Sequence, residues 1–332
     1  MGKSRAKLLV AQTDNPRRDF DSLKRYADIY WLEDMDEKEQ ELVLPLIDCV
    51  YSHGWPKMLD ASKVSKMRSL RFFQAGNAGV NSMRFDLLDK RVVLCSNAGG
   101  YSDEVAEFAI GLMLAAGKNI VKFDRQLRAG AYARQRLDDL GRQVTSFKRK
   151  TLGIVGYGGI GKSTAKLASP FGMKTLAFGR HPVRDPGVKL LRGRGGLMRL
   201  LRESDVVVLA VPLTRETRGL IGREELAAMR PGATLVNVAR GEVVQKEAVY
   251  DHLVRNPGFV YATDVWWPDA TSGESFSPDL PFLELDNFIG TPHASGPSAI
   301  ITGSVAKGAI ENLTRYFNGK PLKNVVDRSE YS

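Results

Sequence analysis

Short apolar runs alternate with amphipathic stretches along almost the whole chain, and this alternation predicts an α/β fold built on parallel sheets. In the first hundred residues the strand-like runs fall at 6–11 (AKLLVA), 46–51 (LIDCVY), 70–76 (LRFFQAG) and 92–97 (VVLCSN). One long helix is predicted next, over SDEVAEFAIGLMLAAGKNIVKFDRQL, with Ser102 as its N-cap and Glu104 and Glu107 in or near its first turns. After a polar, arginine-rich connection, six further strand-like runs follow at 151–158, 175–180, 205–212, 233–240, 259–266 and 288–293. The ends of these runs carry polar residues, as expected where an open sheet binds ligands along its carboxyl edge. A last helix is predicted from Pro297 to Asn318, followed by GKPLKNVV, and the chain shows no internal repeat or low-complexity tract.

A length of 332 residues is enough for two ordinary domains. No run approaches the roughly 18 to 20 apolar residues that span a bilayer. The opening MGKSRAKLLVAQTD lacks the apolar stretch and cleavage site of a secretory signal. A cytoplasmic location is therefore expected, with Cys49 and Cys95 as reduced thiols in strand-like runs rather than a disulfide. The net charge of +10 raises nucleic acid as a partner, with Arg125 to Lys150 as the basic run that could serve it. Asp138 and Asp139 interrupt that run, and no nucleic-acid-binding module is recognisable. An anionic cofactor and a carboxylate substrate would favour the same positive balance, so a small-molecule partner is preferred and no membrane partner is expected.

Gly156-Tyr157-Gly158-Gly159-Ile160-Gly161 is a GxGxxG motif lying between an apolar strand-like run and a helix-like run from Lys162 to Ser169. Glycine at 156 and 158 would let the backbone turn and approach a pyrophosphate, and Gly161 would let helix and strand pack closely. The alternative is a glycine-rich turn with no ligand. In dinucleotide folds the second strand usually ends in an acid that binds the adenosine ribose of NAD, but 23 positions after Gly156 the chain has Gly179, followed by Arg180. Loss of the carboxylate removes repulsion toward a 2′-phosphate, and a planar guanidinium can grip one. The stretch reads as an NADP(H) pocket with His181 and Arg184 as helpers, NAD(H) remaining possible. Against it stands a tight turn at Gly179 with a solvated arginine beside it.

Three polar residues close late strands: Arg240 in NVARG, Asp269 in DVWWPD and His293 in TPHASG. Reduction of a 2-oxo acid needs a cation to hold the carboxylate and polarise the carbonyl, and a proton donor for the oxygen as hydride reaches carbon. Arginine and histidine suit these tasks, and a carboxylate beside the imidazole would favour its protonated form. Singly, Arg240 could be a strand-end salt-bridge residue and His293 a satisfied loop histidine.

With these pieces in order, the chain resembles the D-isomer-specific 2-hydroxyacid dehydrogenase family. The matching segments are TLGIVGYGGIGKSTAKLASPFGM, VVLAVPLTRETRGLI, LVNVARGEVVQKEAVYDHL, Asp264 of ATDVW, TPHASG and NGKPLKNVV. The resemblance implies two Rossmann- or flavodoxin-like α/β domains with parallel sheets and the active site in the interdomain cleft. A discontinuous substrate domain (1–99 plus 295–332) and a dinucleotide-binding domain (100–294) are expected. By the same resemblance Arg240 binds and polarises substrate, His293 is the acid/base and Asp269 its paired carboxylate. Asp264 would hold the nicotinamide carboxamide, and the backbone around Asn77, Ala78 and Gly79 the substrate carboxylate. Further cofactor contacts are implied at Val211, Pro212, Thr217, Val238, Ala239 and His293 itself. No metal is expected, and a homodimer through the nucleotide-binding domains is, with the 125–150 run as a dimer arm bearing Tyr132 where relatives often carry tryptophan.

The chain also departs from the family. Asp269 stands where most relatives have Glu, one methylene longer, so the histidine contact could be tighter, shifted or bridged by water. Trp266 and Trp267 are unusually bulky, with either a structural role or one of them walling the cleft. Ser52, His53 and Trp55 follow a substrate-domain strand and are candidates for selectivity, or an exposed loop. The expected activity is NADPH-preferring reduction of a small 2-oxo acid, glyoxylate or hydroxypyruvate. The alternatives are a phosphoglycerate-dehydrogenase-like enzyme, for which the chain past NVV offers no regulatory domain, and a nucleotide-sensing corepressor on the same fold. Formate oxidation would be expected to bring glutamine at 269.

Overall fold

Strands covered on both faces bury every residue, and VVVL (206–209), TLVN (234–237) and VYAT (260–263) do so here. The computed structural model describes residues 5–13, 15–132, 144–182, 185–267, 276–296 and 302–331. The chain divides into two units, residues 1–101 with 297–332, and residues 102–296.

In the first unit β1 (Ala6–Gln12), β2 (Ala27–Trp31), β3 (Cys49–Ser52), β4 (Phe72–Ala75) and β5 (Val93–Cys95) form a parallel sheet of order β2-β1-β3-β4-β5. This is a doubly wound order whose reversal falls between β1 and β3. The sequence pattern misses β2: it is an edge strand with only Ala27 buried and Asp28 within it, so its apolar signal is weak. Two short helices, α1 (Glu37–Val43) and α2 (Ala61–Lys66), connect the strands; Asp36 and Glu39 close a reciprocal capping box on the first.

The second unit begins at Ser102. The single long helix expected from Ser102 is two helices, α3 (Ser102–Gly117) and α4 (Ile120–Arg128). Asn119 breaks them apart in the left-handed conformation, φ +54°, which asparagine tolerates better than most residues. The returning segment fixes the break: Thr145 N–H donates to the Gly117 carbonyl at 2.8 Å, and a β-carbon at Gly117 would collide with the Phe147 ring. Ser102 is not the N-cap either. It is the first helical residue, and its buried Oγ has no hydrogen-bond partner among the described residues.

The larger sheet holds β6 (Thr151–Val155), β7 (Lys174–Phe178), β8 (Val188–Leu191), β9 (Val206–Leu209), β10 (Thr234–Asn237), β11 (Val260–Thr263) and β12 (Phe288–Gly290). All pairs are parallel, in the order β12-β11-β10-β9-β6-β7-β8. One more strand is present than the six expected; β8 is an edge strand whose only buried residue is Leu191, too short and polar a run to stand out. Helices α5 (Gly159–Ala168), α6 (Gly193–Glu203), α7 (Arg223–Ala228) and α8 (Lys246–Arg255) lie in the crossovers. The strand order reverses between β6 and β9, the point where such sheets open a crevice at their carboxyl edge.

The chain then returns to the first unit through α9 (Thr302–Phe317), which buries Ala306, Ala309 and Leu313. Asn312 is buried too, and its Nδ2 donates to Gln74 Oε1 in β4 at 2.7 Å and to the Lys323 carbonyl at 3.1 Å, while its Oδ1 accepts from Lys323 N–H at 2.9 Å. Val325 adds an antiparallel bridge to Cys95 of β5. Among the described residues no helix is long and apolar enough to cross a membrane.

Cys49 and Cys95 are buried and unlinked. Burial holds the Cys49 thiol well above its usual pKa and pushes that of Cys95 up to about 11. Because the thiolate is the reactive form, a colorimetric disulfide reagent near neutral pH is expected to modify neither thiol in the native protein and both once denaturant is added.

Candidate active site and cofactor loop

The glycine loop follows β6 at the point of strand reversal. Gly156 has φ +101°, and a β-carbon there would lie 2.5 Å from the Ala210 carbonyl oxygen at the exit of β9. A β-carbon at Gly161 would collide with the Gly156 carbonyl, so α5 rests directly on the strand exit. Gly158 differs: among the described residues nothing lies within 4 Å of the position its β-carbon would take. Beyond it Gly159 and Ile160 start α5, and no side chain among the described residues caps that end of the helix. Open space over uncapped N–H groups at a helix start is what a pyrophosphate requires, so these residues fit a dinucleotide. Val211, half-buried, and Pro212, exposed, follow β9. The Thr217 hydroxyl donates to the Pro212 carbonyl at 2.5 Å and accepts from Thr214 N–H at 2.8 Å, closing that loop. Val238 and Ala239 are buried at the exit of β10.

Beside this loop Gly156 N–H donates to the Phe178 carbonyl at 2.8 Å, which sets the exit of β7 against it. Gly179 comes next. It is not among the residues with positive φ, and a β-carbon would make only ordinary contacts, 3.7 Å to Tyr157 N and 3.9 Å to Leu190 Cδ1. Nothing in the local backbone demands glycine there. Arg180 is exposed and makes a loose ion pair with Glu216 at 3.9 Å; His181 is exposed as well, and Arg184 lies outside the described residues.

At the exit of β10, buried Asn237 organises the turn that carries Arg240. Its Oδ1 accepts from Ala239 N–H at 3.0 Å, an Asx turn, and its Nδ2 donates to the Arg240 carbonyl at 3.0 Å and to Tyr261 Oη at 3.1 Å. Arg240 is half-buried and donates from one guanidinium nitrogen to the Ala239 carbonyl at 2.7 Å. A β-carbon at Gly241 would collide with the Trp266 carbonyl, so the exits of β10 and β11 touch backbone to backbone.

Asp264, the residue after β11, is fully buried. One carboxylate oxygen accepts from Thr291 Oγ1 at 2.6 Å and Ala294 N–H at 2.8 Å, the other from Ser295 N–H at 2.9 Å. The Asp264 carbonyl also accepts from His293 N–H at 2.8 Å. These bonds wrap the TPHAS loop around one side chain and leave His293 exposed, in a left-handed conformation with φ +53°. Trp266 supports the same loop by donating its indole N–H to the Thr291 carbonyl at 2.8 Å, its ring filling the space over Gly290. Trp267 donates to the Val244 carbonyl at 2.7 Å and stacks on Phe282, ring centroids 5.6 Å apart. Both tryptophans therefore pack within this unit. Thr291, Ser295 and Asn237 escaped the sequence reading; only Asn237, a strand-end asparagine two residues before a turn, carried a legible signal. Asp269 lies outside the described residues, as does 133–143 of the basic run; Tyr132 just before it is 78% exposed.

In the first unit the exits of β3 and β4 are stitched together. Asn77 Oδ1 accepts from Gly54 N–H at 3.0 Å, its carbonyl accepts from Asn97 N–H at 2.9 Å, and Asn97 Nδ2 donates to the Gly76 carbonyl at 3.0 Å. Asn77, Ala78 and Gly79 are half-buried. His53 lies against Gly76, where a β-carbon would meet its ring, and Asn15 Nδ2 contacts both Tyr51 Oη at 2.8 Å and His53 Nε2 at 3.4 Å. Ser52 is fully buried, its hydroxyl without a partner among the described residues. Trp55 stacks on Phe73 at 5.8 Å and donates to the Leu59 carbonyl at 2.9 Å, a packing role.

Replacing Asp264 by alanine leaves the Ala294 and Ser295 N–H groups and the Thr291 hydroxyl without their acceptor. The expected loss in unfolding free energy is about 2–4 kcal/mol by denaturant titration.

The model of the family described as D-isomer specific 2-hydroxyacid dehydrogenase, NAD binding domain, matches residues 110–295. The chain is 31% identical over 298 residues to D-3-phosphoglycerate dehydrogenase of Archaeoglobus fulgidus, covering 88% of this chain and 54% of that one. It thus spans about half the length of the curated phosphoglycerate dehydrogenases it matches. Glyoxylate reductase of Korarchaeum cryptofilum is 34% identical over 273 residues, 81% of this chain and 80% of that one. In fold the chain is similar to a D-isomer specific 2-hydroxyacid dehydrogenase from Xanthobacter autotrophicus Py2, solved in complex with NADPH and MES, with a TM-score of 0.80, 24% identity and coverage of 99% and 100%. From the glycine loop, the Asp264-bound histidine loop and relatives above 30% identity over four-fifths of its length, the chain belongs to the D-isomer-specific 2-hydroxyacid dehydrogenase family.

Proposed function

We propose that the chain is an NAD(P)-dependent oxidoreductase that reduces a small 2-oxo acid, glyoxylate or hydroxypyruvate, with NADPH preferred. The observation that carries the reading is the histidine loop: an exposed imidazole on a segment fixed by a buried carboxylate, in the unit that also presents an uncapped glycine loop and Arg240. The nicotinamide, when bound, supplies hydride to C2 of the substrate. Arg240 binds the substrate and stabilises charge developing on the C2 oxygen, and His293 gives that oxygen its proton, so the 2-oxo acid becomes the 2-hydroxy acid. Asp269 pairs with His293, and backbone N–H groups of Asn77 to Gly79 take the substrate carboxylate. Asp264 accepts three donors and keeps lone-pair capacity for a carboxamide N–H as well.

The NADPH preference is supported by Gly179, where an acid would fit the backbone and is missing, with Arg180 beside it. NADPH in the Xanthobacter relative is in keeping with it. A homodimer through the nucleotide-binding unit is supported by the exposed apolar side chains of Ile120 and Leu127 on α4 and of Tyr132 just beyond it.

With glyoxylate or hydroxypyruvate, NADPH is expected to be consumed faster than NADH at equal concentration. Equal rates would remove the cofactor preference, loss of neither would count against the reductase, and preference for 3-phosphohydroxypyruvate would favour the phosphoglycerate dehydrogenase reading. His293→Ala is expected to lower kcat by about 10²- to 10⁴-fold, the usual weight of a general acid; near-normal turnover would remove His293 from that role.

A further inference from the structure

Tyr261 sits in β11, a strand with every residue buried, and is itself fully buried. Its ring packs beside Trp267 and Phe288, the centroids 6.0 Å from each. Phenylalanine would supply the same ring and the same apolar surface. The hydroxyl is the added feature, and a buried hydroxyl costs free energy unless it is hydrogen-bonded. Burial pushes the phenol up to about 12, with the Thr263 and Asn237 side chains pulling the other way, so near neutral pH it carries no charge. In the sheet Tyr261 pairs with Leu235, and Asn237 lies two residues further along β10, on the same face. The long ring spans that offset, and its Oη accepts from Asn237 Nδ2 at 3.1 Å.

The Asn237 amide has one oxygen and two N–H donors, and each is committed. Oδ1 accepts from Ala239 N–H, one N–H goes to the Arg240 carbonyl, and the other goes to Tyr261 Oη. Without the phenol oxygen the second N–H would be buried and unpaired, a penalty relieved only by moving the amide, and with it the turn that carries Arg240. The Arg240 side chain has contacts of its own, among them the Ala239 carbonyl at 2.7 Å. Asn237 acts one step earlier, on the main chain from which the guanidinium extends. We propose that Tyr261 is a positioning residue for the substrate: through Asn237 it fixes the backbone of Arg240, and so the guanidinium that holds a 2-oxo acid. The inference rests on the reading of Arg240 as the substrate-binding arginine. Substrate handling then depends on a hydroxyl inside the core of the larger sheet, closed to any ligand.

The test measures initial rates with glyoxylate and NADPH, and NADPH binding without substrate, in the full-length protein. Tyr261→Phe keeps the ring and its packing. In it kcat/KM for glyoxylate is expected to fall about five- to fiftyfold, within the range for one buried unpaired donor, while the NADPH dissociation constant stays unchanged. Asn237→Asp, which sets an acceptor against the Arg240 carbonyl, is expected to lose more. Arg240→Lys completes a double-mutant cycle: in that background Tyr261→Phe is expected to cost less than about twofold further, because the geometry it protects is already gone. A hydroxyl that serves only the fold would lower the unfolding midpoint and leave kcat/KM unchanged, or would cost the same factor in both backgrounds; either result overturns the proposal. NADPH binding weakened by the same factor as kcat/KM would overturn it too. A kcat/KM lowered by Arg240→Lys but not by Tyr261→Phe sinks the coupling alone. A kcat/KM unmoved by Arg240→Lys, or no turnover in the unaltered protein, sinks the reading of Arg240 and this inference with it.

Discussion

Asp264 carries a carboxylate into a place closed to water, where an unpaired charge would be untenable. Two backbone N–H groups and a hydroxyl make it tenable, and all three come from the segment on either side of His293. The requirement runs in both directions. The charge needs these donors, and the donors, drawn to one point, force the segment around it into a tight loop that keeps His293 at φ +53°. Such a conformation is unfavourable for a residue other than glycine and persists only where its surroundings over-determine it. The loop that presents the imidazole is shaped by electrostatics beneath it, with Trp266 bracing the same strand exit.

The other loops at this edge depend on missing atoms more than on bonds. Gly156 admits the Ala210 carbonyl, Gly161 admits the Gly156 carbonyl, and Gly241 admits the Trp266 carbonyl, so at three points backbone approaches backbone with no side chain between. Gly158 is the exception, since the space its side chain would fill is open. Three glycines thus bring backbone against backbone, and a fourth leaves room for something else. That difference, invisible in the string GYGGIG, separates a ligand cradle from a glycine-rich turn.

Much of this was legible in advance because it follows from pattern. Central strands are apolar throughout, so the parallel α/β class and the strand exits bearing Arg240, Asp264 and His293 could be read from the sequence. Edge strands escaped: β2 and β8 are solvated on one side and carry Asp28 and Lys189, which dilute their apolar signal. The break at Asn119 escaped because its cause is tertiary, the segment around Phe147 packing on Gly117. Ser102 misled because it has the chemistry of a cap without the position of one. Within the site, the partners of Asp264 lie some thirty residues away in sequence, beyond the reach of local spacing.

The return of the chain through α9 gives the two units different histories during synthesis. Residues 102–296 are contiguous, so everything the larger sheet requires leaves the ribosome in one stretch. The smaller sheet is made first but completed last: Gln74 Oε1 in β4 meets its donor only when Asn312 arrives, and the free side of β5 gains its bridge from Val325 later still. Until then it exposes the surface that α9 covers and an unpaired strand edge, a hazard for association with other nascent chains. The first unit by sequence is thus the second to have all its residues synthesised.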